Sequence, residues 1–156
     1  MKGDAKVIEI LNDVLCAELT AVNQYFIHGM MCGNWRYKKL AEHGRDESID
    51  EMKHAQKLIE RILYLDGVPN MQKYMKINVG PTVPEQHAFD LEVERSAVAR
   101  LNAGLEICRT VGDNGSRMLL ESILKEEEEH IDWLEAQIQQ IADLGLPNYL
   151  ALQAED

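Results

Sequence analysis

Residues 51–54 read EMKH and residues 127–130 read EEEH, so the spacing Glu-x-x-His occurs twice in the chain. Both segments lie inside stretches where apolar residues recur every three or four positions, a pattern typical of amphipathic helices. Residues three positions apart share one face of a helix, so each segment presents a glutamate and a histidine together. The two segments therefore predict acid–imidazole pairs on helices, and the rest of the chain indicates where those pairs lie.

The composition is typical of a globular protein, with 46% hydrophobic and 28% charged residues among 156, and we predict one domain over residues 1–156. The net charge of −11 disfavours nucleic-acid binding and favours attraction of cations. Without a signal-peptide pattern or an apolar run of spanning length, we expect no membrane contact and a cytoplasmic location. Three widely spaced cysteines predict neither a disulfide framework nor a cysteine zinc site.

Glycine and proline divide the periodic stretches into four long helices and a short one. Tight turns make the first pair and the second pair antiparallel hairpins. The segment 66–82 can extend over about 55 Å, more than the roughly 42 Å length of such a helix, so it can return helix three parallel to helix two. These features predict an all-α four-helix bundle with one long crossover and a short fifth helix. We expect helices at about 5–34, 36–65, 84–111, 115–143 and 147–154.

Acidic residues interrupt the apolar faces of the first and third helices. Glu18 and Glu94 each lie within an apolar stripe, and each precedes the glutamate of a Glu-x-x-His segment by 33 residues. The midpoints of these intervals fall in or next to the two tight turns, so paired glutamates lie at the same height near mid-bundle. We therefore expect one core cluster, named here the six-donor cluster, of Glu18, Glu51, His54, Glu94, Glu127 and His130.

The chain resembles two copies of one hairpin offset by 76 residues. At this offset several positions are identical, although most others differ. The two Glu-x-x-His segments then become equivalent halves of one site. The identical pairs are Leu15/Leu91, Ala21/Ala97, Val22/Val98, His54/His130, Leu58/Leu134 and Ile62/Ile138.

Four carboxylates in a core cannot all stay ionised without compensating positive charge. Two divalent cations would balance them, each with one histidine, one outer glutamate and a share of the two Glu-x-x-His glutamates. Oxygen-rich ligation with one histidine per metal suits iron or manganese better than structural zinc. Solvated acids or core salt bridges are the alternative, and they explain any single residue better than the joint spacing.

This order of ligands on four helices resembles the di-iron carboxylate pattern of ferritin-like bundles. The segments MKGD (1–4), NQYF (23–26), SIDEMKHA (48–55), HIDWLE (130–135) and NYL (148–150) are similar to those of bacterioferritins, and the similarity covers essentially the whole chain. The resemblance implies that the six-donor cluster binds two iron ions per subunit, with Glu51 and Glu127 as bridges.

The resemblance further implies a ferroxidase that oxidises Fe(II) with dioxygen or peroxide and stores ferric mineral in a hollow shell. The shell would be a 24-mer homo-oligomer built from two-fold dimers, with a small redox ferredoxin as partner in iron release. A non-storage di-iron oxidoreductase of the same bundle is the alternative function. A metal-free structural or interaction bundle is a third hypothesis.

Met52 points about 160° away from His54 on an ideal helix, and therefore away from the cluster. Leu19, Phe26 and Met30 are expected to form an outward strip on the first helix, and exposed apolar strips indicate a partner surface. The resemblance implies that Met52 ligates haem b, shared between two subunits for electron transfer in iron release. Simple packing in a dimer interface is the alternative for this methionine.

Three further residues are candidate accessory groups. Tyr25 matches a family tyrosine near the site that could donate an electron, and a core tyrosine with a satisfied hydroxyl is an equal alternative. Asp46 and Asp50 match a family iron position on the inner shell surface, although relatives often have histidine at position 46. We expect the other histidines, at positions 28, 43 and 87, to be surface or satisfied groups, and the acidic run 125–129 to be solvated apart from Glu127.

Overall fold

The computed structural model describes residues 1–155, and within that range it has five helices and an all-α architecture. Asp156, the last residue of the predicted domain, lies outside the described residues. The predicted four-helix bundle with a long crossover and a short fifth helix is confirmed. The helices are α1 (Ala5–Asn34), α2 (Lys38–Tyr64), α3 (Val83–Val111), α4 (Asn114–Leu144) and α5 (Leu146–Gln153).

The ends of α2 differ from the predicted bounds because two residues adopt left-handed backbone conformations. Arg36 has a φ of 68°, so the helix begins at Lys38 rather than at residue 36. Asp66 has a φ of 60° and follows the end of the same helix at Tyr64. Neither residue is a glycine. Aspartate adopts this conformation more often than most residues, whereas the residue type of Arg36 gave no sign of it.

The crossover between α2 and α3 is attached to a polar stripe on α1. The stripe residues are spaced by multiples of four, so the stripe winds slowly around the helix by about 40° for every four residues. Their side chains hold the crossover all along its path, which brings the start of α3 to the end of α1 and makes α3 parallel to α2. Main-chain amides donate at 2.8 to 3.1 Å from Asn70 to Asn12, from Met75 to Thr20, from Asn78 to Gln24, and from Gly80 to His28.

One end of the bundle is an apolar core built from all four long helices. Its side chains are almost completely buried, and burial of this kind supplies most of the free energy that stabilises a bundle. Arg61 closes this end by donating to Asp113 Oδ1 at 2.9 Å, across from α2 to the start of α4. The core includes Val7, Leu11, Leu15, Leu58, Ile62, Leu101, Leu120 and Ile123.

α1 and α2 approach each other most closely through two glycines. A Cβ atom on Gly44 would lie 2.8 Å from the Cα atom of Gly29, a separation that side chains do not tolerate. This contact lies about one helical turn from Glu47 and two turns from Glu51. It therefore fixes the separation of the two helices next to the six-donor cluster.

Leu19 does not lie on the outward strip where we expected it. Its exposure is 4%, and it belongs to the same apolar core as Ala55 of α2. Leu19 lies about 100° from Glu18 around α1, at the edge of the helix face that carries the cluster. α2 covers that edge. Among residues 1–155, no helix has the length and apolar character needed to cross a membrane.

Candidate metal centre

The structure brings all six predicted donors together at mid-bundle. α1 and α3 contribute one glutamate each, and α2 and α4 contribute one glutamate and one histidine each. Every one of these side chains is buried, with exposures from 0% for Glu51 and Glu94 to 9% for His130. Buried carboxylates and imidazoles at one level are what the 33-residue spacing predicted.

The donor atoms form two overlapping groups of four. One group contains Glu18, Glu51, His54 and Glu127, and the other replaces Glu18 and His54 by Glu94 and His130. Within each group the donor atoms lie within 4.8 Å of one another. Since Glu51 and Glu127 belong to both groups, the arrangement suits two adjacent cations joined by two bridging carboxylates.

Both histidines present Nδ1 to the cluster. His54 Nδ1 lies 3.2 Å from Glu127 Oε1 and 3.5 Å from Glu18 Oε2. His130 Nδ1 lies 3.2 Å from Glu51 Oε1 and 3.4 Å from Glu94 Oε1. The same ring nitrogen is therefore available for a cation in each half of the site.

The buried side-chain atoms that lack a directed hydrogen bond are concentrated here. Within residues 1–155, eight of the nine such atoms belong to the six-donor cluster. The ninth is Oε2 of the adjacent Glu47, which lies 2.5 Å from His130 Nε2 without the geometry of a directed hydrogen bond. Native proteins contain few such atoms, and each one raises the free energy of the folded state. Their concentration at one place is explained by donors arranged to bind cations rather than to bond to one another.

Electrostatics at the site reflects four crowded carboxylates around two imidazoles. Burial, together with the charges of Glu94 and Glu51, raises the pKa of Glu127 well above its usual value. Burial opposes charge on His130, but hydrogen bonds to Glu47, Glu51 and Glu94 outweigh it and raise the pKa of this histidine to about 12. The ion-free site therefore retains protons that divalent cations would replace.

Comparisons with known proteins support the same reading of the fold. The family model described as a ferritin-like domain matches residues 8–144. The chain is 46% identical over 151 residues to a bacterioferritin of Mycobacterium bovis, covering 97% of this chain and 95% of that protein. Bacterioferritins of Streptomyces coelicolor and Brucella melitensis are 47% and 45% identical, each covering 99% of this chain and 93% and 96% of those proteins. The chain belongs to the bacterioferritin family.

Two acids of this bacterioferritin that the sequence did not single out also contact the cluster. Glu47 is buried, and its Oε2 lies 2.5 Å from His130 Nε2. Glu126 was expected to be solvated, but its carboxylate contacts His54 Nε2 although about half of the side chain remains exposed. The position of Glu47, four residues before Glu51 and on the same helix face, was the one signal in the sequence that could have identified it.

The two predicted accessory aspartates behave differently. Asp50 forms a third donor group with Glu47 and His130, whose donor atoms also lie within 4.8 Å of one another. Asp46 is exposed and, within the described part of the chain, belongs to none of the three groups. The structure therefore pairs Asp50 with Glu47 rather than with Asp46.

Tyr25 lies beside the cluster. Its hydroxyl donates to Glu94 Oε1 at 2.6 Å, and its ring packs edge-to-face against the His130 ring with centroids 6.3 Å apart. Burial and the nearby charges of Glu94 and Asp90 raise the pKa of Tyr25 well above 10. The phenol therefore remains protonated at neutral pH and keeps its hydrogen bond.

Met52 lies on the outer face of α2, away from the cluster, and 52% of it is exposed. Ile49, one turn earlier on the same helix, is also exposed, as are Phe26 and Met30 on α1. These four side chains form an exposed apolar surface on the hairpin α1–α2, here called the α1–α2 outer surface. An exposed thioether among apolar side chains fits a haem ligand at an interface between two copies.

Proposed function

We propose that this bacterioferritin stores iron and oxidises it at the six-donor cluster. Fe(II) is the substrate, and ferric mineral would accumulate inside a 24-subunit shell of two-fold dimers formed by chains that each fold as one domain over residues 1–156. The observation that carries the proposal is the concentration of eight undirected buried donor atoms in two groups that share Glu51 and Glu127.

The residues of the chain would bind two Fe(II) ions side by side. Two neighbouring ions allow one oxidant molecule to take two electrons in a single event, so that dioxygen and two protons become hydrogen peroxide. Glu51 and Glu127 would bridge the ions, while Glu18 and Glu94 would complete the two ends. The protein contributes geometry, low solvent access and replacement of its retained protons by metal charge.

A cleft between α2 and α4 connects the cluster with the surface. Its volume is about 560 Å³, and its walls include both ligand histidines together with Glu47, Asp50 and Glu126. The acidic walls attract cations, and the donor group of Glu47, Asp50 and His130 lies along this path. We assign Asp50 to iron passage through the cleft, and Asp46 to the exposed surface next to it.

We also propose that Met52 is the haem ligand. Haem b held by one Met52 from each of two subunits would supply one-electron transfer for iron release, with a small redox ferredoxin as electron source and the cytoplasm as location. The chain would contribute the thioether, and the apolar side chains of the α1–α2 outer surface would exclude water from the interface.

Substitution of Glu18 tests the ferroxidase proposal. Glu18→Ala removes the outer carboxylate of one group, and we expect Fe(II)-dependent oxygen consumption to fall by roughly 100-fold or more. Glu9→Ala, at an exposed position of the same helix, is the matched control. Unchanged oxygen consumption in Glu18→Ala, with the assembly intact by native mass, would exclude the proposed site. Absence of Fe(II)-dependent oxygen consumption in the wild-type protein would favour a metal-free bundle.

Native mass also separates storage from the alternative di-iron oxidoreductase. A shell of 24 chains of 17.8 kDa is expected to elute near half a megadalton. A stable dimer as the largest species, with ferroxidase chemistry retained, would support the non-storage oxidoreductase instead.

The haem proposal has its own variants. Met52→Leu removes the thioether, and we expect loss of haem with ferroxidase activity largely intact, whereas Met52→His should retain haem with an altered absorption spectrum. Met118→Leu, at an exposed methionine of α4, is the control. Haem binding by Met52→Leu at the wild-type level would show that Met52 only packs at the interface.

A further inference from the structure

Each ligand histidine is held from behind by an acid of the opposite helix. His54 of α2 contacts Glu126 of α4 through Nε2, and His130 of α4 lies 2.5 Å through Nε2 from Glu47 of α2. The two contacts cross the cleft in opposite directions. Both acids therefore contact the side of the ring that faces away from the cluster.

We propose that Glu47 and Glu126 are positioning residues for the two histidines, and that Glu47 makes the His130 half of the site the tighter one. This inference rests on the proposed function, because it concerns affinity for the two cations. Glu47 and Glu126 act through the imidazoles and are not assigned as ligands of the pair.

The chemistry follows from the two nitrogens of imidazole. When Nδ1 binds a cation, the remaining proton lies on Nε2, and a carboxylate that accepts it fixes both the tautomer and the ring orientation. Such a carboxylate also makes the ring a better donor to the metal, and its loss typically weakens metal binding by about 10- to 100-fold.

The two positioning contacts are unequal. The Glu126 side chain is 48% exposed, whereas that of Glu47 is 11% exposed. Water and salt screen an exposed carboxylate and leave it free to move, so Glu126 holds its histidine less firmly. One ligand imidazole therefore has a buried carboxylate behind it and the other has an exposed carboxylate. Only the Glu126 contact already has the geometry of a directed hydrogen bond.

The inequality is not a consequence of the internal repeat. At the 76-residue offset, Glu47 corresponds to Ile123, and Glu126 corresponds to Asp50. Ile123 is part of the apolar core and cannot accept a proton. The ligands of the two halves are equivalent, but the groups behind them are not.

Anaerobic titration with Co(II), followed by its visible d–d absorption, tests the inference in the assembled protein. We expect two Co(II) per wild-type subunit in two affinity classes. Glu47→Gln should weaken the tighter class by about tenfold or more, and Glu126→Gln should weaken the other class by a smaller factor. At saturating Co(II), both variants should also show shifted d–d bands, a change that a purely structural role would not produce.

Glu129→Gln is the matched control, because Glu129 lies in the same cleft and the substitution removes the same charge. If both variants titrate and absorb like this control, the positioning role is wrong. A larger loss in Glu126→Gln than in Glu47→Gln would overturn the proposed inequality. If the wild-type protein binds a third Co(II) and Glu47→Gln loses only that ion, Glu47 is a ligand of the third ion and not a positioning residue. If the wild-type protein binds no Co(II) pair, the proposed function fails first, which distinguishes the two failures.

Discussion

Two buried polar regions lie next to each other in this bundle, and only one has the properties of a binding site. In the hydrogen-bonded network, Asp90 accepts from Gln24 and His28 at 2.9 Å, and Tyr149 donates to Gln137 and contacts His87. In the six-donor cluster, most donor atoms lack a directed partner. Burial of polar groups therefore does not indicate a binding site by itself, whereas a cluster of buried polar atoms without hydrogen-bond partners does.

Two histidines show the difference most directly. Burial lowers the pKa of His87 to about 4, whereas hydrogen bonds to three acids overcome burial and raise the pKa of His130 to about 12. The lowered pKa makes His87 neutral at pH 7. Because Tyr149 donates its single proton to Gln137, its oxygen accepts from His87 Nε2. The raised pKa of His130 favours a proton on the ring, and a cation at Nδ1 would take the place of such a proton.

Glu94→Gln should produce the largest effect, because it removes one charge from the cluster at constant volume. We expect Fe(II)-dependent oxygen consumption to fall by roughly 100-fold or more, while the ion-free protein becomes no less stable. Burial is the main cause of the raised pKa of Glu94, so a neutral amide suits this position. Oxygen uptake and the urea midpoint of chelator-treated protein measure the two effects.

Glu92→Gln, at an exposed position two residues away on α3, is the control for both measurements. A marked loss of ion-free stability in Glu94→Gln would mean that this carboxylate is structural, like those of the hydrogen-bonded network.

Asp90→Ala should have the opposite outcome. It leaves the side chains of Gln24 and His28 without their acceptor in the core, which we expect to destabilise the protein by about 3 kcal/mol. Co(II) stoichiometry should stay at the wild-type value, because Asp90 belongs to none of the donor groups found within residues 1–155. Loss of one Co(II) equivalent in an otherwise folded variant would contradict the separation of the two regions.

Acidification should weaken the hydrogen-bonded network through His87. Its folded pKa of about 4 lies below its unfolded value, so the unfolded chain binds more protons, and stability is lost as pH falls from 6.5 towards 4. At pH 5, the titration of His87 on unfolding lowers the free energy of unfolding by about 2 kcal/mol relative to neutral pH. The urea midpoint of His87→Gln should therefore fall less between pH 7 and pH 5 than that of wild type.

Glu92→Gln should keep the full wild-type response to pH, since no histidine is changed. An identical pH response in His87→Gln and wild type would show that His87 does not titrate on unfolding in this range.

The bundle and its six donors were predictable because they depend on regular features. Helical periodicity, the placement of glycine and proline, and the equal 33-residue intervals all act along the chain, and the helices are confirmed within about two residues of the predicted bounds. The length of the crossover was enough to predict that it runs along the bundle. The polar stripe from Asn12 to His28 that binds it was not predicted. Each stripe residue is ordinary by itself, and only the folded crossover gives them a common role.

The remaining features depend on contacts between helices that sequence spacing does not fix. Glu126 of α4 contacts His54 of α2 across the cleft, and the same residue on an isolated helix would be solvated. Leu19 lies at the edge of the α1 face, where the distance to α2 decides between exposure and burial. Asp46 and Glu47 are neighbours in sequence, and a rotation of about 100° separates the solvated acid from the buried one.

Tyr25→Phe should have the smallest effect and tests the boundary between the two regions. The hydroxyl donates to Glu94 of the cluster, while the ring packs on His130, so removal of one oxygen changes a single hydrogen bond. We expect a loss of about 1 kcal/mol in stability, unchanged Co(II) stoichiometry and Fe(II) oxidation slowed several-fold. Tyr37→Phe, at a half-buried position in the turn between α1 and α2, is the control. An unchanged oxidation rate with the same loss of stability would assign Tyr25 to the core as a satisfied tyrosine, whereas slower oxidation with intact metal binding would assign it to electron transfer.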